Sequence, residues 1–233
     1  MKGISLTVVS IITFLAWLPG SVSAQTFNWT GFYLGAQAGF AKPKDFVTYG
    51  GSSTGVPFNA LDEKIVHREN GFAGGGQAGY NYQLGWFVPG IEFDLGYIGF
   101  NGKRQSPEPG PENDFALSRG GLFGTVSGRL GAAVDRTLLY LKGGFAYANL
   151  ELGVADNVPP LTTDATQRTT RTGWTIGGGI EYALADHWTI KTEYQFVDLG
   201  EKGISAVASD GITDTWKHDV SAHIIKLGLN YKF

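Results

Sequence analysis

The sequence predicts an all-β chain, an eight-stranded antiparallel up-and-down transmembrane β-barrel. Three observations lead there: stretches in which apolar and polar residues alternate, connectors that are by turns very short and long, and aromatic residues gathered at the ends of the stretches. The composition agrees, since 35 Gly, 15 Phe, 10 Tyr and 6 Trp in 233 residues describe a β-rich, turn-rich chain rather than a helical bundle. There is no Cys, so neither a disulfide framework nor a thiolate metal site is available. A formal net charge of −3 without a basic tract argues against nucleic acid as a partner.

Residues 1–24 read as a signal peptide. Lys2 supplies the positive region, Ile4 to Leu18 the apolar core, and Ser21-Val22-Ser23-Ala24 a small-x-small cleavage site. The apolar stretch is shorter than the roughly 20 residues of a spanning helix, and Pro19-Gly20 breaks it. Residues 25–233 then form one β-barrel domain, with 17 Lys and Arg against 21 Asp and Glu.

Eight alternating stretches follow. The first, Gly31 to Ala41, sets Phe32, Leu34, Ala36, Ala38 and Phe40 against Tyr33, Gly35, Gln37 and Gly39. The second is the glycine-rich Gly71 to Tyr82. The third, residues 87–100, sets Phe87, Ile91, Phe93, Leu95 and Tyr97 against Glu92 and Asp94. In the fourth, Leu122, Val126, Leu130 and Ala132 oppose Thr125, Ser127 and Arg129; in the fifth, Leu139, Leu141, Phe145 and Tyr147 oppose Tyr140 and Lys142. The sixth carries Trp174, Ile176, Ile180, Tyr182 and Leu184 outward and Glu181 inward. The seventh carries Trp188, Ile190, Tyr194 and Phe196 outward, with Lys191, Glu193 and Gln195 inward. The eighth sets Ile225, Leu227, Leu229, Tyr231 and Phe233 against Lys226, Asn230 and Lys232.

Eight strands enclose a space that side chains fill, so the polar face is expected inside. That gathers Glu92, Asp94, Glu181 and Glu193 with Arg129, Lys142, Lys191 and Lys226, four acids with four bases, as a salt-bridged plug rather than an ion path. Gly74-Gly75-Gly76 and Gly177-Gly178-Gly179 read as relief from crowding within strands, not as phosphate cradles. Short joints at Leu84-Gly85-Trp86, Asp135-Arg136-Thr137 and Ala185-Asp186-His187 belong to the periplasmic side. Long loops at about 42–70, 101–117, 153–171 and 200–218 face outward, and both termini lie in the periplasm.

The opening Asn28-Trp29-Thr30-Gly31-Phe32-Tyr33-Leu34-Gly35, the glycine-rich second stretch and the ending Lys226-Leu227-Gly228-Leu229-Asn230-Tyr231-Lys232-Phe233 resemble the small outer-membrane β-barrel surface proteins of alphaproteobacteria, porin-like barrels. The resemblance spans the mature chain outside the loops. It implies residence in the bacterial outer membrane after export through the secretory pathway, and contact with outer-membrane lipids and lipopolysaccharide. It also implies a C-terminal signal, Leu229, Tyr231 and Phe233, read by the barrel-assembly machinery. Family members are variously porin-like, adhesive, antigenic or haem-binding, so a host or environmental ligand at the outer loops is a further implied partner.

The leading expectation is a structural, envelope-integrity and surface-interaction role with no cofactor. A porin-like channel is the rival. Asp219, Ser221 and His223 share one face of the eighth stretch, but neighbours two apart on one strand make a strained relay, and no catalytic residue is assigned. His67 and His218, with Tyr49, are the best haem or metal candidates, although they form no ligand-spaced cluster. Ser106 to Pro111, with three prolines, reads as exposed loop. Mass spectrometry of the exported protein should find Gln25 at its N-terminus; a retained residue 1–24 segment would refute the signal assignment.

Overall fold

Alternation decides which face of each strand meets lipid, and hydrogen bonding then forces closure, because no strand edge can stay unpaired in a bilayer. The computed structural model describes residues 27–52, 64–68, 70–99, 101–105, 114–158, 161–207 and 213–233. Residues 1–24, read as a signal peptide from the sequence, and Ser106 to Pro111 lie outside these residues. Eleven strands are present: β1 (Gly31–Ser52), β2 (Lys64–Arg68), β3 (Gly71–Asn81), β4 (Phe87–Gly99), β5 (Asn101–Gln105), β6 (Asp114–Arg119), β7 (Leu122–Val134), β8 (Thr137–Val158), β9 (Leu161–Ala183), β10 (Trp188–Val207) and β11 (Thr213–Lys232).

Eight of them make the wall. Each of β1, β3, β4, β7, β8, β9, β10 and β11 pairs antiparallel with the next, and β1 pairs with β11 from Tyr33↔Lys232 to beyond Phe40↔Ile225, closing the ring. The other three extend it: β2 continues β3 along β1, and β5 and β6 form a hairpin that β6 joins to β8. The ladder on β1 passes from β3 at Ala41↔Gly71 to β2 at Lys44↔Arg68, and Pro43, which has no N–H to donate, falls in the gap.

The strands run farther than the sequence pattern indicates. Much of the segments expected as loops at 42–70, 101–117, 153–171 and 200–218 is paired sheet, as in the β8–β9 hairpin that continues to Val158↔Leu161 and the β10–β11 hairpin that continues to Val207↔Thr213. The end opposite the tight joints therefore carries hairpin arms. The apolar alternation of the membrane-crossing part is not sustained through the sequence of these arms, so they read as loops. At the opposite end the joints are tight. Gly85 (φ 64°) and Asp135 (φ 52°) take left-handed conformations in the two turns, and Leu184 to His187 form the third.

The outward face is apolar, with Leu141 71%, Phe40 75% and Leu227 62% exposed. From Phe32 to Phe40 the wall rises roughly 20 Å along the membrane normal, given about 3.4 Å per residue and a tilt near 40°. Aromatic side chains border this band. Trp188, Tyr231 and Phe233 sit in edge contact (centroids 5.2 Å apart in each successive pair) at the end near the turns, and Trp174 and Phe196 (5.5 Å) at the other.

Glycine makes room inside. A Cβ at Gly179 would meet the Tyr140 hydroxyl at 2.7 Å and ring carbon at 2.9 Å, and one at Gly79 would strike the Tyr33 ring. At both positions the backbone of a neighbouring strand is also within 2.6 Å of that Cβ, so each tyrosine occupies space that only a glycine leaves open. Gly179→Val should destabilise the barrel by about 1–3 kcal/mol by overpacking, measured as the urea midpoint after refolding into detergent. Gly128→Ala, whose Cβ would find its nearest neighbour at 3.9 Å, should leave the midpoint unchanged or slightly raised.

Candidate functional site

The lumen is layered. At its centre, inward positions of β4, β7, β8, β9, β10 and β11 bring together Glu92, Asp94, Arg129, Lys142, Glu181, Lys191, Glu193 and Lys226, none more than 5% exposed. Lys142 Nζ stands 2.7 Å from Glu92, 2.9 Å from Asp94 and 2.9 Å from Glu193. Glu92 also faces Lys191 at 2.9 Å and Arg129 at 3.6 Å, while Glu193 faces Lys226 at 2.9 Å and Lys191 at 3.4 Å. Arg129 pairs with Glu181, and Lys226 lies 3.7 Å from Asp94.

Neutral groups complete the shell. The Tyr33 hydroxyl donates to Glu92 (2.7 Å) and the Tyr140 hydroxyl to Glu193 (2.8 Å), while the Arg129 guanidinium lies 3.6 Å over the Tyr140 ring. Thr125 (2.7 Å) and Gln37 (2.6 Å) donate to Asp94, and Asn230 (2.8 Å) and Thr189 donate to Glu181. Gln195 accepts from Lys226 at 2.8 Å and donates to Thr175 at 2.9 Å. Isolated ions at such sites would cost several kcal/mol each; opposite charges and hydrogen bonds on several sides offset that cost.

Apolar layers stand above and below the charges. On the side of the short turns, Phe27 and Trp29 fold into the mouth in edge contact (4.7 Å) and pack with Val88, Leu138 and Ala183. Trp29 N–H donates to the Gln83 side chain (2.7 Å) and Gln83 N–H to Thr30 Oγ1 (2.9 Å), which fixes the segment before β1. On the other side Ala41, Ala73, Ile98, Phe123, Ala146, Ala148, Leu150, Val197, Leu199, Val220, Ala222 and Ile224 fill the lumen. The inward face is thus polar in its middle layer and largely apolar on either side, with Thr169, Arg171 and His218 buried as the exceptions on the outer side, a departure from the uniformly polar interior that the pattern suggests. A cavity of 20 Å³ lies where charged and apolar layers meet, lined in part by Gln37, Asp94, Phe123 and Lys226.

All eight charged residues expected inside lie in this one network. Arg171 was hidden in an expected loop: it is buried, and its guanidinium donates to the carbonyls of His218 (2.9 Å) and Gly200 (3.3 Å). Its inward parity with Thr175 and Glu181 was readable, but only once β9 is known to begin at Leu161. Asp219, Ser221 and His223 occupy alternate outward positions of β11, and the His223 ring meets the Tyr194 hydroxyl at 2.7 Å on β10. His218 is buried, while the side chains of Tyr49 and His67 lie outside the described residues. Among the described residues no group of three or more His, Asp or Glu is placed to hold a metal ion. Leu229 and Phe233 of the C-terminal pattern face outward beside the half-buried Tyr231, and Phe233 N–H closes onto the Phe32 carbonyl at 2.9 Å.

A closed antiparallel barrel with an apolar outside, aromatic borders and a charged interior defines a membrane-spanning β-barrel protein. The chain belongs to the outer membrane protein beta-barrel domain family, whose model matches residues 12–233. It is 34% identical over 227 residues to the 31 kDa outer-membrane immunogenic protein of Brucella melitensis, covering 92% of this chain and 88% of that one. It is 31% identical over 206 residues to a 22 kDa outer membrane protein of Rhizobium leguminosarum, covering 88% and 79%. Among solved structures, the outer membrane protein OprG from Pseudomonas aeruginosa shares the fold with a TM-score of 0.58 at 13% identity, over 89% of this chain and 98% of that one. The protein is an outer-membrane β-barrel, and these relatives are named as outer-membrane proteins rather than as enzymes.

Removing one member of the network should be severe. Glu92→Leu strips three cations of a shared carboxylate and is expected to cost roughly 3–5 kcal/mol, read from the urea midpoint of the refolded protein. A loss below about 1 kcal/mol would mean that these charges are hydrated and independent.

Proposed function

We propose that this protein is a non-conducting outer-membrane anchor with a structural, envelope-integrity role that displays its hairpin arms for surface interaction. The observation that carries the reading is the stacking of the lumen: a neutral network of eight charges held between two apolar layers. An ion entering from either side would first leave water for an apolar layer and then compete with ion pairs of 2.7–2.9 Å. The porin-like alternative requires both layers to move aside. The immunogenic naming of the Brucella relative supports surface display.

Other readings draw less support. A haem-binding or adhesive function would reside in the arms. A lipid-modifying hydrolase would need Ser221 and His223 to act together, whereas the His223 ring is engaged with Tyr194. We assign Leu229, Tyr231 and Phe233 to recognition by the barrel-assembly machinery, on the strength of their alternate placement at the closing strand beside β1.

Planar-bilayer recordings test the proposal. The refolded protein, verified by its shifted mobility on unboiled gels, should give no stable conductance. Deleting Phe27 to Trp29 should still give none, because the second apolar layer remains. Stable channels from the full-length barrel would establish the porin reading instead.

A further inference from the structure

Outside the lumen, the outward surface of β8 and β9 changes character in regular steps with height. In the apolar band Phe145 pairs with Trp174, both half-exposed. One outward position higher Tyr147 pairs with Thr172, and above that Asn149 pairs with Thr170, whose hydroxyl donates to the Asn149 side chain at 2.7 Å. The next outward position is charged: Glu151 stands between Arg168 of β9 and Arg119 of β6, directly opposite it in both ladders.

The charged step is unbalanced. Glu151 Oε1 takes Arg119 at 3.1 Å and Oε2 takes Arg168 at 3.3 Å, so one carboxylate holds two guanidinium groups and the cluster keeps one positive charge. The arginine side chains are 57% and 87% exposed, against 21% for the glutamate. Each arginine has five N–H donors, and the described contacts to Glu151 use one of each. On β10 and β11, by contrast, the described pair sets one base against one acid, Lys217 with Glu201 at 3.1 Å. A column that runs from apolar through aromatic and hydroxyl-amide to paired arginines repeats the order of acyl chain, interface, sugar and phosphate in the outer leaflet. Six residues from Trp174 to Arg168 rise roughly 15 Å along the normal, and flexible arginine side chains reach back toward the interface.

We propose that Arg119 and Arg168, held together by Glu151 above the Asn149–Thr170 step, form a docking site for the phosphate groups of an outer-leaflet glycolipid, lipopolysaccharide. Planar guanidinium pairs suit the oxygens of a phosphate, with sugar hydroxyls meeting the Asn149 and Thr170 side chains below. Glu151 sets the spacing of the two arginines and also weakens their field. The proposal rests on residence in the outer membrane and is independent of whether the lumen conducts.

The test is binding of lipopolysaccharide by the full-length barrel refolded into maltoside micelles. Arg119→Gln with Arg168→Gln should weaken binding about ten-fold, and dephosphorylated lipopolysaccharide should bind the unaltered protein as weakly. Glu151→Gln should tighten binding several-fold, the opposite of what loss of a merely structural ion pair would do. Inorganic phosphate alone should not displace the lipid. All variants should keep their heat-modifiable mobility, since these exposed pairs contribute little to folding. Undiminished binding by the double variant, equal binding of dephosphorylated lipid, weaker binding by Glu151→Gln, or full competition by inorganic phosphate would overturn the assignment.

Discussion

Four acids and four bases sealed inside a narrow barrel constrain everything around them. Charge in such a place is tolerable only if every ion meets partners on several sides, and those partners come from strands far apart in sequence: Glu92 of β4 answers Lys142 of β8, Lys191 of β10 and Arg129 of β7. The register of the wall is therefore tied to the network. A slip of one residue would turn Glu92 to lipid and Ile91 to the lumen, exchanging faces along the whole strand. Tyr33 and Tyr140 bridge the ions, and the glycines beneath their rings exist to let them do so.

The two apolar layers follow from the same constraint. Water reaching the network from either mouth would compete for its hydrogen bonds, and the layers of Trp29 with Leu138 and of Phe123 with Ile224 stand between the network and the two mouths. A low local dielectric strengthens every ion pair between them. The core of this protein thus resembles that of a soluble domain turned about, with ions at the centre and apolar side chains both above and below them as well as on the surface. On the proposed reading the interior serves stability, which leaves the outward surface and the arms as the places where specificity can vary.

Much of this was legible in the sequence. Alternation identified outward side chains on seven of the eight strands of the wall, and the charges it sent inward do meet there. Four things were not legible, each for a physical reason. The apolar alternation is not sustained in the sequence of the arms, so β1 to Ser52 and β9 from Leu161 looked like loops. The outer apolar layer was masked because Ile224 and Ile225 are neighbours of one type with opposite fates, one fully buried and one 60% exposed. Trp29 precedes the first strand, where periodicity says nothing, yet it is among the largest fully buried side chains. The Arg119–Glu151–Arg168 cluster likewise needed three strands placed side by side, which no single stretch of sequence reveals.

The central claim is that the interior ions act as one mutually satisfied network, and a double-mutant cycle on Arg129 and Glu181 tests it most directly. Each single change, Arg129→Met or Glu181→Leu, strands a buried charge, so the free energies of unfolding in detergent should show strong coupling. The double variant should recover well over 1 kcal/mol relative to the sum of the two losses. Additive losses would mean that the two residues are separately hydrated, and the sealed, ion-paired lumen would be contradicted.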